Sequence, residues 1–152
     1  MILDERNEFC DAVTGVSAAS TKTLRGDQID LGSTVGDGFQ SGQPALVITI
    51  DTSFVSANDN PVRFVLASDA AAAIAVDGTA TEHATSQDFL PTTQLLAGTK
   101  IVIPLPTGAP AYERYLGVIQ DVGAGVSGIT AGTFSAYLTM DAGQWKAYAA
   151  GI

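Results

Sequence analysis

Apolar side chains recur at every second residue in this chain, in short runs cut off by turn formers. That rhythm suits half-buried strands and leaves little room for helix. In residues 45–52, Leu46, Ile48 and Ile50 share one face while Val47, Thr49 and Asp51 share the other. In residues 62–68 the apolar face is Val62, Phe64 and Leu66, with Arg63 opposite. In residues 133–140 it is Phe134, Ala136, Leu138 and Met140, against Thr133, Ser135, Tyr137 and Thr139. Residues 100–105 and 114–122 are apolar on both faces near their centres, as strands covered on both sides would be. Weaker strand candidates are 24–31, 73–76 and 84–89.

Turn residues separate these runs: Gly36-Asp37-Gly38, Asn58-Asp59-Asn60-Pro61, Asp77-Gly78, Ala97-Gly98 and Gly108-Ala109-Pro110. Asp77-Gly78 reads as a two-residue hairpin turn. Pro104 and Pro106 flank Leu105, so that strand must stop there or lie at a sheet edge, because proline gives no donor to a ladder. The helix candidates are 4–13 and 70–75, the latter capped by Ser68 or Asp69. About eight short strands with turns at this spacing predict an all-β fold, an antiparallel β-sandwich or jelly roll with little helix. The 152 residues suit one domain. Within it we expect an N-terminal arm over 1–16, a β-sandwich core over 17–143 and a C-terminal tail over 144–152.

With 46% hydrophobic and 15% charged residues, the chain has the balance of a packed domain. Its net charge of −9 repels phosphate, so neither nucleic acid nor an anionic membrane is an expected partner. Cys10 is the only cysteine, which rules out an intrachain disulfide and any paired-cysteine zinc motif. The N-terminus carries acids where a signal peptide would be basic, and the uncharged stretch 122–140 is broken by glycines. Synthesis in a reducing cytoplasm as a soluble chain is the expectation.

Motifs that hint at chemistry are weak. Gly123-Ala124-Gly125-Val126-Ser127-Gly128 fits G-x-G-x-x-G, but β formers follow where a dinucleotide site needs a helix. It reads as a strand connection. His83, the single histidine, lies near Ser86 and Asp88 without a nucleophile elbow or a second metal ligand, and reads as a surface-loop residue. Asp27 with Asp30, and the loop 56–60, gather oxygens that calcium could use. Without the EF-hand pattern they read as solvated acidic turns. Arg25-Gly26-Asp27 reads as a coincidental match to an adhesion tripeptide. No catalytic residue, cofactor or metal is expected. Tyr112, Tyr115, Trp145 and Tyr148 stand at element ends or in the tail, where large rigid side chains either anchor an interface or, for Trp145 and Tyr148, cap the bottom of the sandwich.

Several phrases taken in order carry a resemblance. They are Met1-Ile2-Leu3-Asp4-Glu5-Arg6-Asn7-Glu8-Phe9-Cys10-Asp11-Ala12, Gly26-Asp27-Gln28-Ile29-Asp30-Leu31-Gly32, Ala67-Ser68-Asp69-Ala70-Ala71-Ala72, Tyr112-Glu113-Arg114-Tyr115-Leu116-Gly117-Val118 and Gln144-Trp145-Lys146-Ala147-Tyr148. Together they resemble the small capsid cement (decoration) proteins of tailed bacteriophages, which reinforce shells of the HK97-type major capsid protein. The resemblance implies a jelly roll, dimeric on the virion exterior, that bridges major capsid protein subunits without enzymatic activity or cofactor. Ile2, Leu3 and Phe9 would then anchor the arm, and Trp145 and Tyr148 would seat the tail. Tyr112, Glu113, Arg114 and Tyr115 would line the contact region, with Glu113 and Arg114 as a positioning ion pair. The competing expectations are a carbohydrate- or receptor-binding sandwich, which wants aromatics gathered on one concave face, and a jelly-roll enzyme, which wants more than one histidine.

Overall fold

The computed structural model describes residues 5–32, 44–108 and 110–140. Eight strands carry the fold: β1 (Glu8–Thr14), β2 (Thr21–Asp30), β3 (Ala45–Ser56), β4 (Val62–Asp69), β5 (Thr81–Thr85), β6 (Lys100–Pro104), β7 (Tyr115–Val122) and β8 (Ile129–Thr139). One 3₁₀ turn, Glu5–Asn7, and one helical turn, α1 (Pro91–Gln94), complete the described regular structure. The strands form two four-stranded sheets, ordered β1-β8-β3-β6 and β2-β7-β4-β5. All pairings are antiparallel. First pairs with last, second with seventh, third with sixth and fourth with fifth, while β8–β3 and β7–β4 roll this long hairpin into two layers. That is the jelly-roll sandwich expected from the alternation.

The alternation builds the layer between the sheets. Leu46, Ile48 and Ile50 of β3 and Phe134, Ala136 and Leu138 of β8 face Phe64 and Leu66 of β4 and Leu116 and Val118 of β7 in one buried cluster. Phe134 lies at its centre, edge-on to Phe64 at 5.1 Å between ring centroids and tilted against Phe54 at 6.1 Å. A second, smaller core lies on the outer side of β4 and β7, where Ile74 covers Val65, Ala67 and Ile119. The doubly apolar run in β7 is therefore covered on both faces. Gly117 makes room for this cover, since a Cβ there would meet the Ile74 side chain at 2.6 Å.

Several expectations need correction. The described part of the proposed helix 4–13 and of the arm 1–16 is a 3₁₀ turn followed by β1, which pairs with β8. Phe9 is buried there, and burying Phe9 and Cys10 outweighs local helix preference. Residues 70–75 form no helix. The Asp69 carboxylate does accept the Ala71 and Ala75 N–H groups, but the chain bends to lay Ile74 on the outer core. Residues 73–76 are not a strand either, and Asp77-Gly78 turns within the long β4–β5 loop. Of the candidate strand 84–89, only the first two residues belong to β5. β6 is an edge strand ending at Pro104, as the prolines require, but Val102 on its outer face is 42% exposed.

The two sheets meet closely along β1 and β2. Gly26 has φ +69, and a Cβ on it would lie 2.0 Å from the Phe9 carbonyl oxygen. Inside the same seam, buried Arg25 donates to the Gln120 side-chain oxygen at 2.8 Å and to the Val16 carbonyl at 2.7 Å, and Gln120 donates to the Gly15 carbonyl at 2.9 Å. Burial pushes the neighbouring Cys10 thiol up to about 12, so it holds no thiolate at neutral pH. Gly78 also has positive φ but faces open space. Gly78→Ala should therefore cost about 1–2 kcal/mol from backbone strain alone, whereas Gly26→Ala should cost about 4 kcal/mol or more because the seam must part. Urea melts of the two variants, with Cys10 labelling as a second readout of seam opening, check the difference.

Candidate interaction surface

Strand register brings the ends of β2, β4 and β6 and the start of β7 to one end of the sandwich. Asp30 and Asp69 both lie opposite Tyr115, from either side of β7, and Pro104 and Thr139 both lie opposite Ala45. The residues singled out at 112–115 sit here. Ile2, Leu3, Trp145 and Tyr148 lie outside the described residues. Phe9 belongs to the core, so it holds β1 in the fold and is not offered to a partner.

The four residues of the 112–115 phrase do different work. Tyr112 is 1% exposed and is no surface aromatic: its ring stacks on His83 with centroids 3.8 Å apart and an interplanar angle of 15°, and its hydroxyl donates to the Pro106 carbonyl at 2.8 Å. Burial raises its phenol above the ordinary value. Glu113 is tied inward, its N–H donating to Ser68 Oγ at 2.9 Å and its carboxylate accepting from Thr81 Oγ1 at 2.7 Å. Glu113 and Arg114 do not form the expected pair. Adjacent residues entering a strand diverge, and Arg114 instead grips Asp30 with two parallel hydrogen bonds, Nε to Oδ1 at 3.0 Å and a terminal nitrogen to Oδ2 at 2.9 Å. The same guanidinium lies 4.9 Å from the centre of the Tyr115 ring. Arg114 holds the Asp30 carboxyl below the ordinary carboxylate range, helped by the Gly32 N–H.

The candidate surface is thus the exposed Asp30 and Arg114 with the half-buried Tyr115, which packs on the outer core beneath the guanidinium. Arg114 and Asp30 keep nearly half of their side-chain surface in water, so the pair can meet a partner while already oriented by its own hydrogen bonds. Asp30 was hidden in the sequence because it reads as half of an acidic turn. It stands at the last residue of β2, paired in register with Tyr115.

The other motifs resolve in place. Arg25 is buried, which withdraws the adhesion tripeptide. The segment 123–128 connects β7 to β8 with strand directly after it, where a dinucleotide site would need a helix. In the loop 56–60, the Asp59 carboxylate accepts the Thr92 N–H and the Asn60 amide donates to the Ser127 carbonyl. His83 is no loop residue: it lies in β5, half-buried, 2.7 Å from the Ser68 hydroxyl. This serine–histidine contact is sealed, because Ser68 has no exposed surface for a substrate to reach.

Stability should separate the buried from the exposed members. Tyr112→Ala should cost about 3–5 kcal/mol and Tyr112→Phe about 0.5–1.5 kcal/mol for its hydroxyl bond. Arg114→Ala should cost about 1 kcal/mol or less, as exposed ion pairs do. Chemical denaturation of the three variants tests that order.

A search of the curated proteins finds no match. A family model, Bbp16, matches residues 10–138, reaching from Cys10 in β1 to Leu138 in β8 and so spanning the strand set of both sheets. On that match the chain belongs to the phage-associated Bbp16 family.

Proposed function

We propose that this protein is a capsid cement protein: it binds the outside of an assembled phage shell and fastens neighbouring major capsid protein subunits. The observation that carries this reading is how the jelly roll of a phage-associated family spends its aromatic and sheet surface. The outer face of β4 and β7 is filled by Ile74 and its neighbours, so that sheet offers no open concave platform. Tyr112 and Tyr137 are buried, and Tyr115 lies under the Arg114 guanidinium. A sugar-binding sandwich needs open aromatic faces, so the described tyrosines favour contact through the ends of the fold over a carbohydrate- or receptor-binding cleft. The Asp30–Arg114–Tyr115 corner suits such an end-on contact.

The mechanism is linkage. A protein that binds only the assembled shell lowers the free energy of that state by its binding free energy, and rupture becomes rarer. Each copy needs only an ordinary interface, about 1,200–2,000 Å² in total, because many copies act on one particle. The net charge of −9 suits a place outside the shell, away from packaged nucleic acid. In this reading the protein is made in the host cytoplasm and self-associates as a homodimer on the virion exterior. Its work makes and breaks no covalent bond and uses no cofactor.

The test is addition of purified protein to expanded shells lacking it. Rupture temperature should rise in proportion to occupancy, and identical rupture with and without the protein would reject cementing. Arg114→Ala combined with Tyr115→Ala should weaken shell binding by about tenfold or more, an interface loss of about 1.4 kcal/mol. Clear micromolar binding on a glycan array would favour the receptor reading instead. A chain lacking residues 1–4 keeps all of β1 and should fold, whereas one lacking 1–13 loses Phe9 from the core and should not.

A further inference from the structure

His83 occupies an irregular position in the sheet. Leu66 pairs with Ala84 and the next residue, Ala67, pairs with Glu82, so His83 is the extra residue of a β-bulge in β5. Bulges re-aim side chains. Here the imidazole lies flat on Tyr112 and reaches the Ser68 hydroxyl, which also accepts the Glu113 N–H. His83 thus holds the 110–114 stretch at two points, one ring stack and one shared serine. Its other ring nitrogen, Nδ1, is buried without a hydrogen-bond partner among the described residues.

We propose that His83 is the catch of an acid-sensitive latch, and that protonating its imidazole releases the 110–114 stretch from β4 and β5. The neutral tautomer that buries no unpaired donor carries its proton on Nε2. That ring donates from Nε2 to Ser68 Oγ and leaves Nδ1 as a bare lone pair. A protonated ring carries two N–H donors and finds only Ser68 Oγ, leaving Nδ1–H buried and unpaired. The Tyr112 ring face and the Glu113 carboxylate both favour the cation, Glu113 being the charged group that acts on the ring. Glu82, the neighbouring acid on β5, is turned to Lys22 at 2.9 Å. Burial outweighs these attractions and lowers the imidazole below its ordinary value. A ring that binds its proton more tightly when released than when latched closes the latch above the ordinary histidine range, and the closure is lost as pH falls through it.

Hydrogen exchange of the intact protein, corrected for the intrinsic pH dependence of exchange, reads the latch directly. Between about pH 7.5 and 5, protection of the 111–114 amides should fall by about tenfold while β4 and β7 stay protected. His83→Gln, which can keep the Ser68 bond, and His83→Phe, which can keep the stack, should both abolish the pH step. Glu113→Gln should retain it. A wild-type protein without the step would overturn the proposal. So would a step that survives both histidine variants or vanishes in Glu113→Gln.

Discussion

The fold depends on the meeting of two apolar sheet faces, with Phe134 at the point of contact. Its ring belongs to one sheet and packs edge-on against Phe64 of the other, while Phe54 closes it from the side. Each sheet carries an apolar face that must be buried against another layer. Rolling a long antiparallel hairpin hides both inner faces at once. Everything placed at the ends of the sandwich, including the Asp30–Arg114 pair, inherits its position from that roll.

Strand existence was legible wherever large apolar residues alternate with smaller or polar ones, even where both faces proved buried, as in most of β4. The 45–52, 62–68 and 133–140 runs, each with a clear two-residue rhythm, became the first part of β3, nearly all of β4 and the C-terminal part of β8. The doubly apolar β7 was equally clear, but nothing local revealed what covered its outer face. The cover is Ile74, in a stretch whose alanines read as a helix and whose burial depends on the absent side chain of Gly117. β1 was the largest miss. Its apolar residues follow no simple alternation because the pairing with β8 shifts register twice between Glu8 and Val13, and Ala12 takes a positive φ of 46.

The candidate surface was half legible. The phrase around Arg114 falls at one end of the molecule, yet it could not show that Tyr112 is buried, that Glu113 is tied to Ser68 and Thr81, or that Arg114 turns to Asp30. Arg114 needed a partner, and register alone supplies Asp30 from a strand more than eighty residues away. His83 was misread for the same kind of reason. A single histidine among polar residues looks solvated until a bulge, invisible in one strand taken alone, points it at Tyr112.

The edge strand β6 carries a consequence for crowded conditions. It is only five residues long, and its last residue, Pro104, has no amide hydrogen. A neighbouring copy that tried to extend the sheet sideways would find a short rail with a missing rung, and such edges resist fibre-like stacking. Two copies meeting at this edge thus cannot continue the sheet across it without leaving a backbone carbonyl unpaired opposite Pro104.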